Sequence, residues 1–153
     1  MKGFLLSIVL TFAGLPPALA QAPLVGIQEK LGQTIPLDVM LYDEQGNVVR
    51  VGELVDKPTI FTFVYYRCPG ICTPLLTELS RVVDKMGMEP GAEYRIVTVS
   101  FDPSETPSMA AEKQQSYLTT MKRQVPPSAW RFLTGDSVNG RRLANGAGFY
   151  FER

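Results

Sequence analysis

An α/β fold, with parallel strands joined by helical crossovers, is what this chain of 153 residues predicts. Two runs, Thr59–Tyr65 and Tyr94–Phe101, are rich in β-branched and aromatic residues, as strands inside a sheet are. Between and after them, apolar residues recur at helical spacing. Strand and helix signals then alternate, which implies crossover connections and a central sheet with helices on its faces.

The elements follow in order. Lys2, the apolar stretch Gly3–Leu15, the break at Pro16 and Pro17, and Ala18-Leu19-Ala20 before Gln21 read as a secretory signal peptide over residues 1–20, cleaved after Ala20. The alternative is an N-terminal membrane anchor, but about 13 apolar residues fall short of the roughly 20 that a spanning helix needs. Residues 21–153 then form one domain, and export to the bacterial periplasm is expected. Ile35–Tyr42 and Val48–Val51, on either side of the turn residues Asp43–Asn47, predict an N-terminal hairpin. Thr59–Tyr65 is the strongest strand and reads as central, buried on both faces.

From Cys72 or Thr73 a helix is expected, with Leu75, Leu76, Leu79, Val82, Val83 and Met86 as its apolar stripe and Gly87 at its end. After the strand Tyr94–Phe101, a loop over Asp102–Pro107 leads to a second helix. Thr106 is its N-cap, Pro107 its first residue, and it reaches about Arg123 with Met109, Tyr117, Leu118 and Met121 inward. Pro126 and Pro127 break the chain, Trp130–Leu133 reads as a third strand, Asp136 caps a helix through Asn145, and Phe149–Phe151 begins another strand.

Fifteen basic and fifteen acidic residues balance. With no cationic run, nothing supplies the charge that binding to nucleic acid requires, and that role is excluded. The chemistry concentrates instead in Cys68-Pro69-Gly70-Ile71-Cys72, which holds both cysteines of the chain. If a helix opens at the second, the spacing brings the thiols onto one face, close enough to form a disulfide or to hold one soft metal ion. Cys72, near the helix N-terminus, is expected to have a lowered thiol pKa.

Two thiolates suit Cu(I). Structural zinc normally takes four ligands, and the chain has two cysteines and no histidine. Met86 and Met88 are soft donors in principle, but Met86 falls on the apolar stripe and both read as core and turn. Tyr65, Tyr66 and Arg67 flank the thiols. Asp102 is a candidate acid behind the site or at a partner contact, or simply the start of a turn before Pro103. A purely structural disulfide is the plain alternative, although so short a loop makes a weak staple.

Phe63-Val64-Tyr65-Tyr66-Arg67-Cys68-Pro69-Gly70-Ile71-Cys72-Thr73-Pro74-Leu75 resembles the signature of the SCO/SenC family of copper-handling proteins. Leu31–Leu37, Val97–Pro103 and Trp130–Gly135 resemble family segments in the same order. The resemblance implies a thioredoxin-like fold, export to the periplasm or mitochondrial intermembrane space, and supply of copper or reducing power to the CuA site of cytochrome c oxidase subunit II. Cys68 and Cys72 correspond to the family's two cysteine ligands, which bind copper when reduced and form a disulfide when oxidised.

The family's third ligand is a histidine on a later segment, and this chain has none. The sequence is therefore expected to be C-terminally incomplete, lacking the family's last strands and helix, with Cu(II) disfavoured by the missing imidazole. Two other readings stand beside the copper metallochaperone. One is a thiol–disulfide oxidoreductase acting on the oxidase subunit's cysteines; the other is an inert domain with a structural disulfide.

Overall fold

A computed structural model describes residues 25–152. The expected signal peptide lies outside them. At the centre are three parallel strands, β4 (Thr59–Val64), β5 (Arg95–Ser100) and β6 (Trp130–Leu133), in the order β4-β5-β6. Thr59 stands opposite Arg95, and Ile96 opposite Trp130. Two crossover helices connect them, α2 (Cys72–Lys85) and α3 (Pro107–Thr120). Because side chains alternate along a strand, the sheet has two apolar faces. Val64, Ile96, Trp130 and Phe132 meet Leu76, Val83 and Tyr117 of α2 and α3 on one face. Val97, Val99 and Leu133 meet Val39, Leu41, Val51, Leu54 and Leu143 on the other.

The second face is covered by the hairpin β2 (Met40–Tyr42) and β3 (Val48–Arg50), the short helix α1 (Val51–Leu54) and α4 (Ser137–Gly146). The hairpin is shorter than the sequence predicts at both ends. Ile35–Val39 forms no strand, and Val51 starts a helix because its backbone N–H turns back to the Val39 carbonyl at 2.9 Å. Tyr42 and Thr134 exchange backbone hydrogen bonds of 2.7 and 3.0 Å, which tie the hairpin to the end of β6.

Helix boundaries follow local chemistry. Thr106 is extended before Pro107, and Asp136 accepts the N–H groups of Val138 and Asn139 as the α4 cap. α3 ends at Thr120, three residues earlier than expected, because the next backbone N–H groups are taken by another helix. Lys122 and Arg123 donate to the Asp84 carboxylate of α2, and the Arg123 guanidinium in turn caps the carbonyls of Val83, Met86 and Met88.

One strand expectation is corrected. β4 is not central. β5 fills that place, its Val97, Thr98 and Val99 fully buried, while Thr59–Phe63 of β4 are half-buried and Val64 alone is enclosed. The expected last strand is present as β7 (Phe149–Tyr150), which pairs antiparallel with β1 (Gly26–Ile27). Gly148, at φ +82°, makes this turn, and a Cβ there would lie 1.9 Å from the Gln28 carbonyl oxygen. Among the described residues β4 and β6 are thus the outer strands of the central sheet.

Candidate functional site

β4 runs directly into the turn Tyr65–Ile71, and α2 begins at Cys72. Both cysteines are free thiols, Cys72 buried and Cys68 half-buried. The Tyr65 N–H points at the Cys72 sulfur at 3.5 Å, and the Cys68 N–H donates to the Tyr65 carbonyl at 3.3 Å. The two thiols stand near enough for each to shift the acidity of the other.

Their acidities diverge, opposite to the expectation for Cys72. Cys68 is lowered by the backbone N–H of Cys72, by the Cys72 thiol and by the N–H groups of Gly70 and Ile71. Cys72 is raised, chiefly by burial, with the Tyr65 N–H opposing and the neighbouring Cys68 adding to the rise. The helix field acts in front of the first free N–H groups, where Cys68 stands; Cys72 is itself the first helical residue and its sulfur turns inward. The outward sulfur is thus the more acidic one.

The turn is held by a carboxylate that the sequence reading did not single out. Glu105, just before α3, is buried and accepts the N–H groups of Tyr66 and Arg67 at 2.7 and 2.8 Å and the Ser100 hydroxyl at 2.6 Å. Arg67 lies 3.8 Å away with a largely exposed side chain and also donates to Ser104. Tyr66 crosses the core, its hydroxyl donating to the carbonyls of Leu133 and Thr98 at 2.7 and 3.2 Å. Burial, with the charges of Glu105 and Glu44, pushes that phenol well above its usual range. The signal for Glu105 was an acid two residues before a helix-opening proline, which reads equally well as solvent-facing.

Asp102 organises its own loop, its Oδ1 accepting the Ser104 N–H and hydroxyl at 2.8 and 2.7 Å. Glu105, three residues on, is the acid bonded to the cysteine segment. Tyr65 packs on Phe101 with ring centroids 4.0 Å apart, and Phe101 continues to Phe151 at 4.6 Å. Met86 ends α2, about 21 Å along the helix from Cys72 at 1.5 Å per residue, and packs into the core. It cannot share a metal with the thiols. Among the described residues no group of three or more His, Cys, Asp or Glu side chains could hold a metal ion, so the site offers two sulfurs.

A sheet with helices on its faces, whose edge strand ends in a paired-thiol turn that opens a helix, defines a thioredoxin-like dithiol protein. The SCO1/SenC family model matches residues 28–150, and the chain belongs to that family. No protein of curated function matches it. Among solved structures, it is similar to a candidate electron transfer protein from Aquifex aeolicus VF5, with 26% identity and a TM-score of 0.70 over 81% of this chain and 70% of that one. It is also similar to copper-bound Arabidopsis thaliana ScoI, with 26% identity and a TM-score of 0.57 over 71% of this chain and 62% of that one. Apo Sco1 from Thermus thermophilus matches at 25% identity and a TM-score of 0.59, over 84% of this chain and 69% of that one.

Proposed function

We propose that this protein carries Cu(I) between the thiolates of Cys68 and Cys72 and hands it by ligand exchange to an acceptor, the CuA site of cytochrome c oxidase subunit II being the acceptor the family implies. The observation that carries the reading is the meeting of two free thiols at the opening of α2, one of them half-exposed and made more acidic by helix N–H groups. Soft thiolates select Cu(I), and no further metal-binding cluster competes among the described residues. Copper bound to ScoI proteins of Arabidopsis thaliana and Bradyrhizobium japonicum, each 26% identical to this chain, supports it. Residues 1–20 serve as an export signal, placing the domain in the periplasm. No helix among the described residues is long and apolar enough to cross a membrane.

Copper titration of the reduced protein against a Cu(I) chelator tests this reading. One equivalent binds tightly in the native protein, and Cys68→Ser and Cys72→Ser each abolish it. Retention of stoichiometric copper by either variant overturns the two-thiolate site, and transfer to an apo CuA domain tests the acceptor.

The unequal acidities favour a second activity for the same pair, thiol–disulfide exchange. The Cys68 thiolate attacks a disulfide in the partner and releases one partner thiolate. Cys72, once deprotonated, then attacks the Cys68 sulfur and frees the second. Two electrons pass to the partner, and Cys68–Cys72 is left as a disulfide. Cys68 is therefore expected to alkylate first, and a Cys72→Ser variant to trap the mixed disulfide.

A further inference from the structure

Glu105 already places a negative charge beside the cysteine turn. It accepts from the N–H groups of Tyr66 and Arg67 and from the Ser100 hydroxyl, whose oxygen in turn accepts the Asp102 N–H, leaving its hydrogen for Glu105 at 2.6 Å. A carboxyl that meets only donors is in its ionised form, which accepts and cannot donate. Its side chain is 1% exposed. The Tyr66 N–H that it holds at 2.7 Å follows the Tyr65 N–H that stands 3.5 Å from the Cys72 sulfur, so charge and sulfur lie within about 10 Å of each other. At that range, with one group buried, water and salt screen the interaction incompletely.

Loading the cysteine pair adds to this charge. Cu(I) between two thiolates carries one net negative charge, whereas the Cys68–Cys72 disulfide carries none. Copper therefore brings a second negative charge close to the first, and a nearby cation stabilises that state. Arg67 supplies it. It immediately precedes Cys68, its Nε lies 3.8 Å from Glu105, and its guanidinium donates to the Ser104 hydroxyl at 2.9 Å, which holds it beside the turn. Lys113, in the cleft lined by Tyr66, Arg67 and Met109, has Glu112 beside it, so its charge is offset. A guanidinium stays charged throughout the working pH range, so this contribution does not change as the thiols load.

We propose that Arg67 is the counter-ion of the cysteine pair: it stabilises the copper-loaded dithiolate against the Glu105 charge, and so sets how tightly Cu(I) is held and how readily the pair oxidises. A guanidinium has no lone pair to give a metal, so Arg67 acts through its charge, as a positioning residue and not as a ligand. The inference rests on the copper and exchange chemistry proposed above and adds the group that balances its charge. Within one network the roles divide. Glu105 places the backbone of the turn, and Arg67 offsets the charge that this placement leaves there. Without Arg67 the neutral disulfide gains on both anionic forms, the copper complex and the single thiolate.

Two equilibria of the full chain test this: competition for Cu(I) with a chelator, and exchange with dithiothreitol. In the second, the protein's S–S bond forms as that of oxidised dithiothreitol breaks, and two electrons pass from the protein thiols to dithiothreitol. The copper-loaded and disulfide forms differ by one charge whatever the protonation of the free pair, so the two fold-changes multiply into one measure. Arg67→Gln is expected to weaken copper binding and favour the disulfide by a product of about threefold or more, and Arg67→Glu by about tenfold or more. Arg67→Lys should stay within about twofold of the native protein, because the charge remains. Both losses should shrink between about 10 mM and 0.5 M salt, which loss of the Ser104 hydrogen bond alone would not cause. The side chain is 61% exposed, so circular dichroism should be unchanged in all three variants. A product unaltered in the Gln and Glu variants, or an equal loss in Arg67→Lys, overturns the proposal, while tight copper binding by the native protein leaves the two-thiolate site standing. A native protein that takes up no Cu(I) overturns both.

Discussion

Glu44 and Glu105 are both buried carboxylates, and they are satisfied in different ways. Glu44 stands in the hairpin turn and faces a guanidinium: Arg131 donates to it through two nitrogens at 2.9 to 3.2 Å, joined by the Phe132 N–H at 2.6 Å and the Gln114 amide at 2.8 Å. Glu105 is held by neutral donors, the backbone N–H groups of Tyr66 and Arg67 and the Ser100 hydroxyl, with its nearest cation exposed and 3.8 Å away. The first is an ion pair that joins hairpin, β6 and α3. The second fixes the backbone next to Cys68 and leaves a carboxylate charge near the thiols. The same residue type therefore serves cohesion in one place and placement of the reactive turn in the other.

Breaking the ion pair should cost most. Glu44→Ala leaves Arg131 largely buried without its main partner and is expected to destabilise the fold by about 3–5 kcal/mol in urea unfolding. Cu(I) affinity of the fraction that remains folded should be unchanged. Glu105→Ala strands three donors and should cost about 2–3 kcal/mol. It should also weaken Cu(I) binding about 10–100-fold, as loss of groups that orient metal ligands commonly does. If the two variants lose copper affinity equally, the contrast between the acids fails.

Tyr66→Phe removes the hydroxyl that links the same turn to Leu133 and Thr98. About 1 kcal/mol of stability should go, with little change in copper affinity, because Glu105 still holds the backbone.

The smallest effect is a dependence on pH. Partial burial raises the Asp43 carboxyl, but hydrogen bonds from Asn47 and Gln45 and the charge of Arg131 outweigh it, so the folded pKa lies below the usual value. Its contribution is present above the unfolded pKa, near 4, and is lost as pH falls through the lower folded value. In acid titrations followed by fluorescence, Asp43→Asn should start less stable and lose less stability below about pH 4 than the native protein.

Much of this was legible in the residues. α2 starts at Cys72 because Pro74 fits a first turn and the apolar spacing begins there, and Asp136 caps α4 as its side-chain chemistry predicts. Leu75 and Val82 were read as core and are not, since periodicity places residues on one side of a helix without saying whether anything covers that side. β4 was read as central for a related reason. A β-branched, aromatic run reports two apolar faces, while position in the sheet depends on which other strands find its edges.

By itself the sequence determined the alternating α/β order, the starts of α2, α3 and α4, and the pairing of two thiols at one turn, because each rests on contacts between residues close in the chain. Only the tertiary structure decided which thiol is the more acidic, that Glu105 holds the turn, and that β5 rather than β4 is the middle one of the three described parallel strands. Burial and hydrogen bonding between Tyr66 and Glu105, 39 residues apart, are products of packing, and no local pattern encodes them.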